Sequence, residues 1–191
     1  MYIDNTENHK KGANMPETEF DAIDRQVKTR ALLYLINKIV GRRELHSDDV
    51  IRVNRLLYLA WLEYASICPN FKFPKYSPMN KMEFLKYERG PAEVLYDQHN
   101  KAFYKHIKRG NIPAFHESCF CPPEYHAINL ACENTRRFYG AASTEKLSNF
   151  IMTNLPMVKN ANFLEVMKFD RTSFNRELMA FMKNRNIFYT K

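Results

Sequence analysis

The sequence predicts a mainly α-helical, compact domain of about six helices around a central apolar helix, with one small β-hairpin. Three observations carry this reading. Apolar residues recur at i, i+3, i+4 and i+7 through most of the chain. Between residues 56 and 62 they cover the helix surface nearly all round, as only a central helix requires. Strand-like alternation is confined to residues 71–87, where Pro69, Pro74 and Pro78 break the helical period. The 191 residues suit one domain, and five Gly with four Cys exclude collagen-like and disulfide-scaffold classes.

Taken in order, residues 1–16 are polar, aperiodic and hold Asn5, Asn8, Gly12 and Asn14, which marks a flexible N-terminal arm. From Glu17 a first helix follows the spacing Phe20, Ile23, Val27, Ala31, Leu32, Leu35, Ile36, Ile39 and Val40, and Gly41 stops it. Ser47, Asp48 and Asp49 start the second, whose stripe Val50, Val53, Leu57, Ala60, Trp61 and Tyr64 is joined by Leu56, Leu59 and Leu62 on other faces. Residues 71–76 and 82–87 then read as a small hairpin or two extended segments. Gly90 forms a turn, and Pro91 suits the first turn of a third helix carrying Ala92, Leu95, Tyr96, His99, Phe103 and Ile107 up to Gly110.

Residues 111–123 read as a loop. A fourth helix turns Ile128, Ala131, Cys132, Thr135, Phe138 and Tyr139 inward and ends at Gly140. Ser143 or Thr144 caps a fifth, with Leu147, Phe150 and Ile151 inward and Pro156 closing it. Thr172 opens the last, which buries Phe174, Leu178, Phe181 and Met182. No apolar stretch approaches the ~20 residues that span a bilayer, residues 1–16 hold no apolar signal core, and no disulfide pattern shows. The expectation is a cytoplasmic, reducing home with no membrane partner.

Charge and reactive side chains bound the chemistry. A net charge of +8 and a pI near 9.3 favour acidic partners, with cations gathered in residues 71–90 and again after Asp170. His116, Cys119, Cys121 and His126 form the densest ligand-type cluster, but their close spacing and Pro122–Pro123 suit a proline-rich loop better than a zinc knuckle, so no metal and no cofactor is expected. Neither a nucleophile elbow nor a phosphate loop occurs. His99 and His106 share a face of the third helix and read as buried, hydrogen-bonded histidines; the acidic pairs read as caps or solvated faces. Cations and rings alternate through Lys72, Phe73, Lys75, Tyr76, Lys86, Tyr87 and Arg89, a strip that either stacks on a partner or packs its rings inward. From it Lys86, Tyr87 and Arg89 are the candidate partner-binding residues, since they join charge to a ring beside a fixed turn.

Three blocks resemble the Panacea antitoxin domain, the family of SocA-like antitoxins and GepA-like phage-associated proteins. Residues Arg55-Leu56-Leu57-Tyr58-Leu59-Ala60-Trp61 are similar to its K-L-L-Y-x-A helix. Tyr87-Glu88-Arg89-Gly90-Pro91, with Tyr96 beyond, is similar to its W-x-Y-G-P-V and following tyrosine. Phe138-Tyr139-Gly140, Leu147-Ser148, Pro156-Met157 and Ala161 are similar to its Y-G-x-x-S-x-x-x-L-S, P-W and A. The likeness runs from about Thr29 to Ala161, and the chain departs from it at Tyr87, Arg89, Met152 and Met157, which marks a divergent member. It implies a helical domain over residues 17–161, with residues 162–191 as a helical extension packed on it. It also implies a non-enzymatic protein that neutralises a cognate protein toxin in a bacterial, phage or mobile-element system, related proteins having been linked to delivery of a toxin to a protease. A nucleic-acid-binding regulator is the alternative.

Overall fold

A computed structural model of the chain describes residues 19–68, 77–115, 120 and 124–189. Its elements are α1 (Glu19–Ile39), α2 (Val50–Ile67), β1 (Phe84–Tyr87), β2 (Gly90–Glu93), α3 (Val94–Arg109), α4 (Tyr125–Asn134), α5 (Thr144–Asn154), α6 (Pro156–Asn160) and α7 (Arg171–Asn184). The fold is mainly helical with one two-stranded antiparallel hairpin. α2 is central: α1, α4, α5, α7 and β2 all pack on it, and residues 53–65 are buried without interruption. Leu56, Leu59 and Leu62 are fully enclosed, each burial stabilising by about 1.5–3 kcal/mol.

An all-round apolar helix explains only part of this. α2 also buries Asn54, Arg55, Tyr58, Glu63 and Tyr64, and each of these side chains has a hydrogen-bond partner on another element. Glu63 accepts from Tyr139 Oη at 2.7 Å, Arg185 Nη1 at 2.9 Å, Asn134 Nδ2 at 3.3 Å and Tyr189 Oη at 3.3 Å. Tyr64 donates to Glu124 at 2.8 Å. Tyr58 donates to Glu177 Oε1 at 2.5 Å while Met157 N donates to Oε2 at 2.7 Å, so one carboxylate ties α7 to α2 and to the start of α6. Burial pushes the Glu177 carboxyl above its ordinary range and the Tyr58 phenol well above its own.

Helix ends follow local chemistry. Ser143 accepts from Lys146 N and caps α5, as expected. Glu93 accepts from Tyr96 N to cap α3, and Asp170 accepts from Ser173 N to cap α7, which starts at Arg171, one residue before the start expected at Thr172. Asp49 does not cap α2 with its side chain; its Oδ2 accepts instead from His46 N at 3.1 Å, closing the preceding turn. The fourth helix ends in a π-helical turn, Thr135–Tyr139, and Pro156 opens the short α6 as well as closing α5.

Several expectations are corrected. The hairpin pairs Phe84–Tyr87 with Gly90–Glu93, Tyr87 opposite Gly90, so the second strand follows the first across the loop Glu88–Arg89. Residues 71–76 lie outside the described residues. Pro91 therefore sits in β2 opposite Lys86, and α3 begins only at Val94, where Glu93 supplies the cap. Ile23 is exposed because α1 meets the core only from Lys28 onward, and Met182 is exposed on the outer face of α7. His99 and His106 are exposed too, since α3 turns Tyr96, Phe103 and Ile107 inward instead. The expected arm, residues 1–16, lies outside the described residues.

The segment after α6 lies along the outer edge of β1. Lys86 N donates to Glu165 O at 3.0 Å, Leu164 N to Lys86 O at 2.7 Å and Met167 N to Phe84 O at 2.8 Å. Among the described residues, no helix is long and apolar enough to cross a membrane.

Candidate functional site

Where α2, the hairpin loop, α3 and the edge segment meet, they enclose a cleft of about 460 Å³ lined by Ile51, Asn54, Arg55, Tyr87, Glu88, Arg89, Ala92, Asp97 and Phe163. Its floor is built around Arg55, which is only 2 % exposed. Arg55 Nη1 donates to Pro91 O, and Nε donates to Ser148 Oγ at 3.4 Å. Gly90 makes room for this side chain. Its φ is +116°, and a Cβ there would stand 2.9 Å from Arg55 Nε and 3.2 Å from Cζ, so both the turn and the close approach demand glycine. Burial pulls the Arg55 guanidinium down to about 10, with Asp97 opposing that shift.

One wall is a fixed polar chain. Asp97 accepts from Asn54 Nδ2 at 3.1 Å and from Tyr87 Oη at 3.0 Å, and Asn54 Oδ1 accepts from Glu93 N at 2.9 Å. Asp97 thereby orients the Tyr87 ring, and burial beside that carboxylate raises the Tyr87 phenol. The opposite lip is apolar: Phe163 meets Tyr87 edge to face at 6.3 Å, and both Phe163 and Ile51 are exposed. Leu164 follows Phe163 at a φ of 60°, a left-handed conformation rare for leucine, held by its bond to Lys86 O.

The sequence-derived trio divides here. Tyr87 and Arg89 line the cleft, Arg89 exposed on the loop. Lys86 does not reach it. Alternation along β1 turns Lys86 inward, where it is 7 % exposed and Nζ donates to Val158 O at 2.6 Å and to Met152 Sδ at 3.2 Å. Burial, with Arg55 nearby, lowers its pKa. Lys86 is a buried tie to α5 and α6, which corrects the expectation of an exposed charge.

Of the interleaved strip, Lys72, Phe73, Lys75 and Tyr76 lie outside the described residues. So do His116, Cys119 and Cys121, while His126 is exposed on α4. Among the described residues, no group of three or more His, Cys, Asp or Glu side chains could hold a metal ion. Cys68 is half-buried and Cys132 buried, both as free thiols, and burial pushes the Cys132 thiol up to about 12.

Asn54, Arg55, Asp97, Ile51 and Phe163 were not singled out by sequence as cleft residues. A signal did exist for two of them: Asn54 and Arg55 interrupt an otherwise apolar helix face, and buried polar residues of that kind need partners. Also unforeseen is a basic end of the molecule. Arg42 Nε donates to Lys108 O at 2.8 Å and Lys108 Nζ to Arg42 O at 2.9 Å, which joins the turn after α1 to the last turn of α3, two chain segments that also carry Lys38, Arg43, Lys105 and Arg109. None of these six is ion-paired to a carboxylate among the described residues. Comparison with known proteins found no match: no family model, no curated protein and no solved structure is similar to this chain.

Proposed function

We propose that this chain is a non-enzymatic, antitoxin-like protein that binds and neutralises a protein toxin encoded beside it. One observation carries the reading: the three sequence blocks that resemble the Panacea antitoxin domain meet at a single side chain. Arg55, from the first block, bonds Pro91 of the second and Ser148 of the third, and Gly90 of the second block clears its path. Blocks up to 93 residues apart thus specify one local structure, as a signature for a shared scaffold would require. Tyr87 and Arg89 stand above that contact on the cleft wall, with exposed Ile51 and Phe163 beside them. Rings, apolar surface and an arginine around a concave site are the composition of a protein-binding hot spot. Binding there inactivates a toxin by mass action, without a chemical step.

The test is co-expression with the products of the flanking reading frames, one at a time. The reading expects one product to arrest growth alone, growth to recover with this chain, and the two proteins to co-elute. It fails if no flanking product is toxic or if a toxic one is neither bound nor neutralised.

The basic end favours a second reading, a nucleic-acid-binding regulator. Six cations on two joined helix ends suit phosphate contacts. That reading expects oligonucleotide affinity to fall steeply between 50 and 200 mM salt, on the order of tenfold or more, and to be lost on charge reversal at Lys105 and Arg109.

A further inference from the structure

We infer that the cleft above Arg55 is a carboxylate-binding site, and that it takes an acidic side chain of the protein partner flanked by apolar residues. The inference rests on the proposed function for its source of ligand, while the site itself stands on geometry. Arg55 is 98 % buried, yet its guanidinium lacks a carboxylate within ion-pair distance among the described residues. Nη1 and Nε are used by Pro91 O and Ser148 Oγ, whereas Nη2 has no hydrogen-bond partner among the described residues, and Arg55 lines the cleft. Nη2 is not enclosed by protein but opens to the cleft, where an anion or a strong acceptor can meet it.

The acid already present does not meet that need. Asp97 lies in the same cleft, but its two oxygens accept from Asn54 and Tyr87, and it makes no ion pair with Arg55. Glu88 and Arg89 face each other in sign at the exposed rim, and Lys86 points away toward Val158. What remains directed into the cleft is Arg55 Nη2, with Arg89 exposed on the loop at the rim. A carboxylate oxygen matches that donor. Exposed Ile51 and Phe163 offer apolar contacts at the rim, which selects an acidic residue beside bulky apolar ones over a bare anion. At about 460 Å³ the cleft holds a side chain with its neighbours and excludes a folded element.

The probes are an acetylated, amidated tripeptide with glutamate between two phenylalanines, its glutamine counterpart and inorganic phosphate. Each is titrated into the ¹⁵N-labelled full chain while the side-chain Nε–H signals of arginine and the backbone amide of Tyr87 are followed by NMR. The expected result is a saturable shift of Arg55 and of Tyr87, at least tenfold tighter for the glutamate peptide than for the glutamine one. Phosphate is expected to produce a weaker effect, and Arg89→Gln to weaken the glutamate peptide about threefold or more. Because Arg55→Lys can fail to fold, the wild-type titration and Arg89→Gln decide the matter. Equal affinity for the two peptides, phosphate binding as tightly as the glutamate peptide, or no shift at Arg55 overturns the inference. A toxin that is still neutralised after such a failure leaves the proposed function standing; a bound glutamate peptide with no toxic flanking product leaves the site and removes the function.

Discussion

Replacing Gly90 by Ala tests the packing that underlies the cleft. At φ +116° an L side chain is strained by about 1–3 kcal/mol. The new Cβ would also stand 2.9 Å from Arg55 Nε, 3.2 Å from Cζ and 3.3 Å from Cδ, so the guanidinium must give way. Its bond to Pro91 O is charge-assisted, and losing such a bond costs about 1.5–3 kcal/mol. Together these give a loss of about 2.5–6 kcal/mol for Gly90→Ala, and more for Gly90→Val, whose branched side chain adds bulk. Urea unfolding followed by circular dichroism measures it. A double-mutant cycle with Arg55→Met separates the two causes, because methionine keeps the stem and removes the crowded guanidinium. The cycle is expected to show a coupling of at least ~1 kcal/mol, the collision being relieved in the double variant. A Gly90→Ala cost below ~0.5 kcal/mol, within the range of ordinary surface substitutions, would refute the reasoning; strict additivity would refute the role of Arg55. If Gly90→Ala melts normally but loses partner binding, Gly90 belongs to the binding surface.

Lys86→Glu, which places a carboxylate against Val158 O, is expected to cost about 3–5 kcal/mol, while Arg89→Glu on the exposed loop stays within ~0.5 kcal/mol; equal thermal shifts for the two would contradict their placement. Glu63→Ala removes the acceptor shared by four donors and is expected to cost about 3–5 kcal/mol, with amide exchange rising first in residues 185–189, where Arg185 and Tyr189 lose this carboxylate. Glu177 is protonated more readily in the fold than in the unfolded chain, so its contribution to stability falls as pH rises from about 4.5 through its raised pKa. The stability of Glu177→Gln relative to the wild type is therefore expected to improve from pH 4.5 to 7; a flat difference over that window would show that burial does not shift this group.

The helical architecture was legible because burial imposes a period. The stripes of α2, α4 and α5, the Ser143 cap and the central place of residues 56–62 all follow from side-chain spacing and simple capping chemistry. The hairpin register was not, since Pro91 in a first helical turn and Pro91 in a short strand satisfy the same local rules, and only the Arg55 contact and the Glu93 cap distinguish them. Alternation along β1 placed Tyr87 toward the cleft and Lys86 away from it, a consequence that required the true strand pairing. Asp97 and Phe163 could not be read at all, because the edge segment that brings Phe163 to the cleft pairs with β1 through backbone groups, which carry no sequence signature. The basic end was hidden in the same way: Arg42 and Lys108 are 66 residues apart.

The central claim is that the cleft above Arg55 is the face that meets the protein partner. Its most direct measurement is calorimetric titration of the toxic flanking product into three forms of the chain: wild type, Arg89→Glu and the double variant Lys105→Glu with Arg109→Glu. Arg89→Glu is expected to weaken binding at least tenfold, about 1.4 kcal/mol, with unchanged melting, and the double variant at the basic end is expected to bind as the wild type does. Full affinity in Arg89→Glu together with lost affinity in the double variant would contradict the claim and move the interface to the ends of α1 and α3.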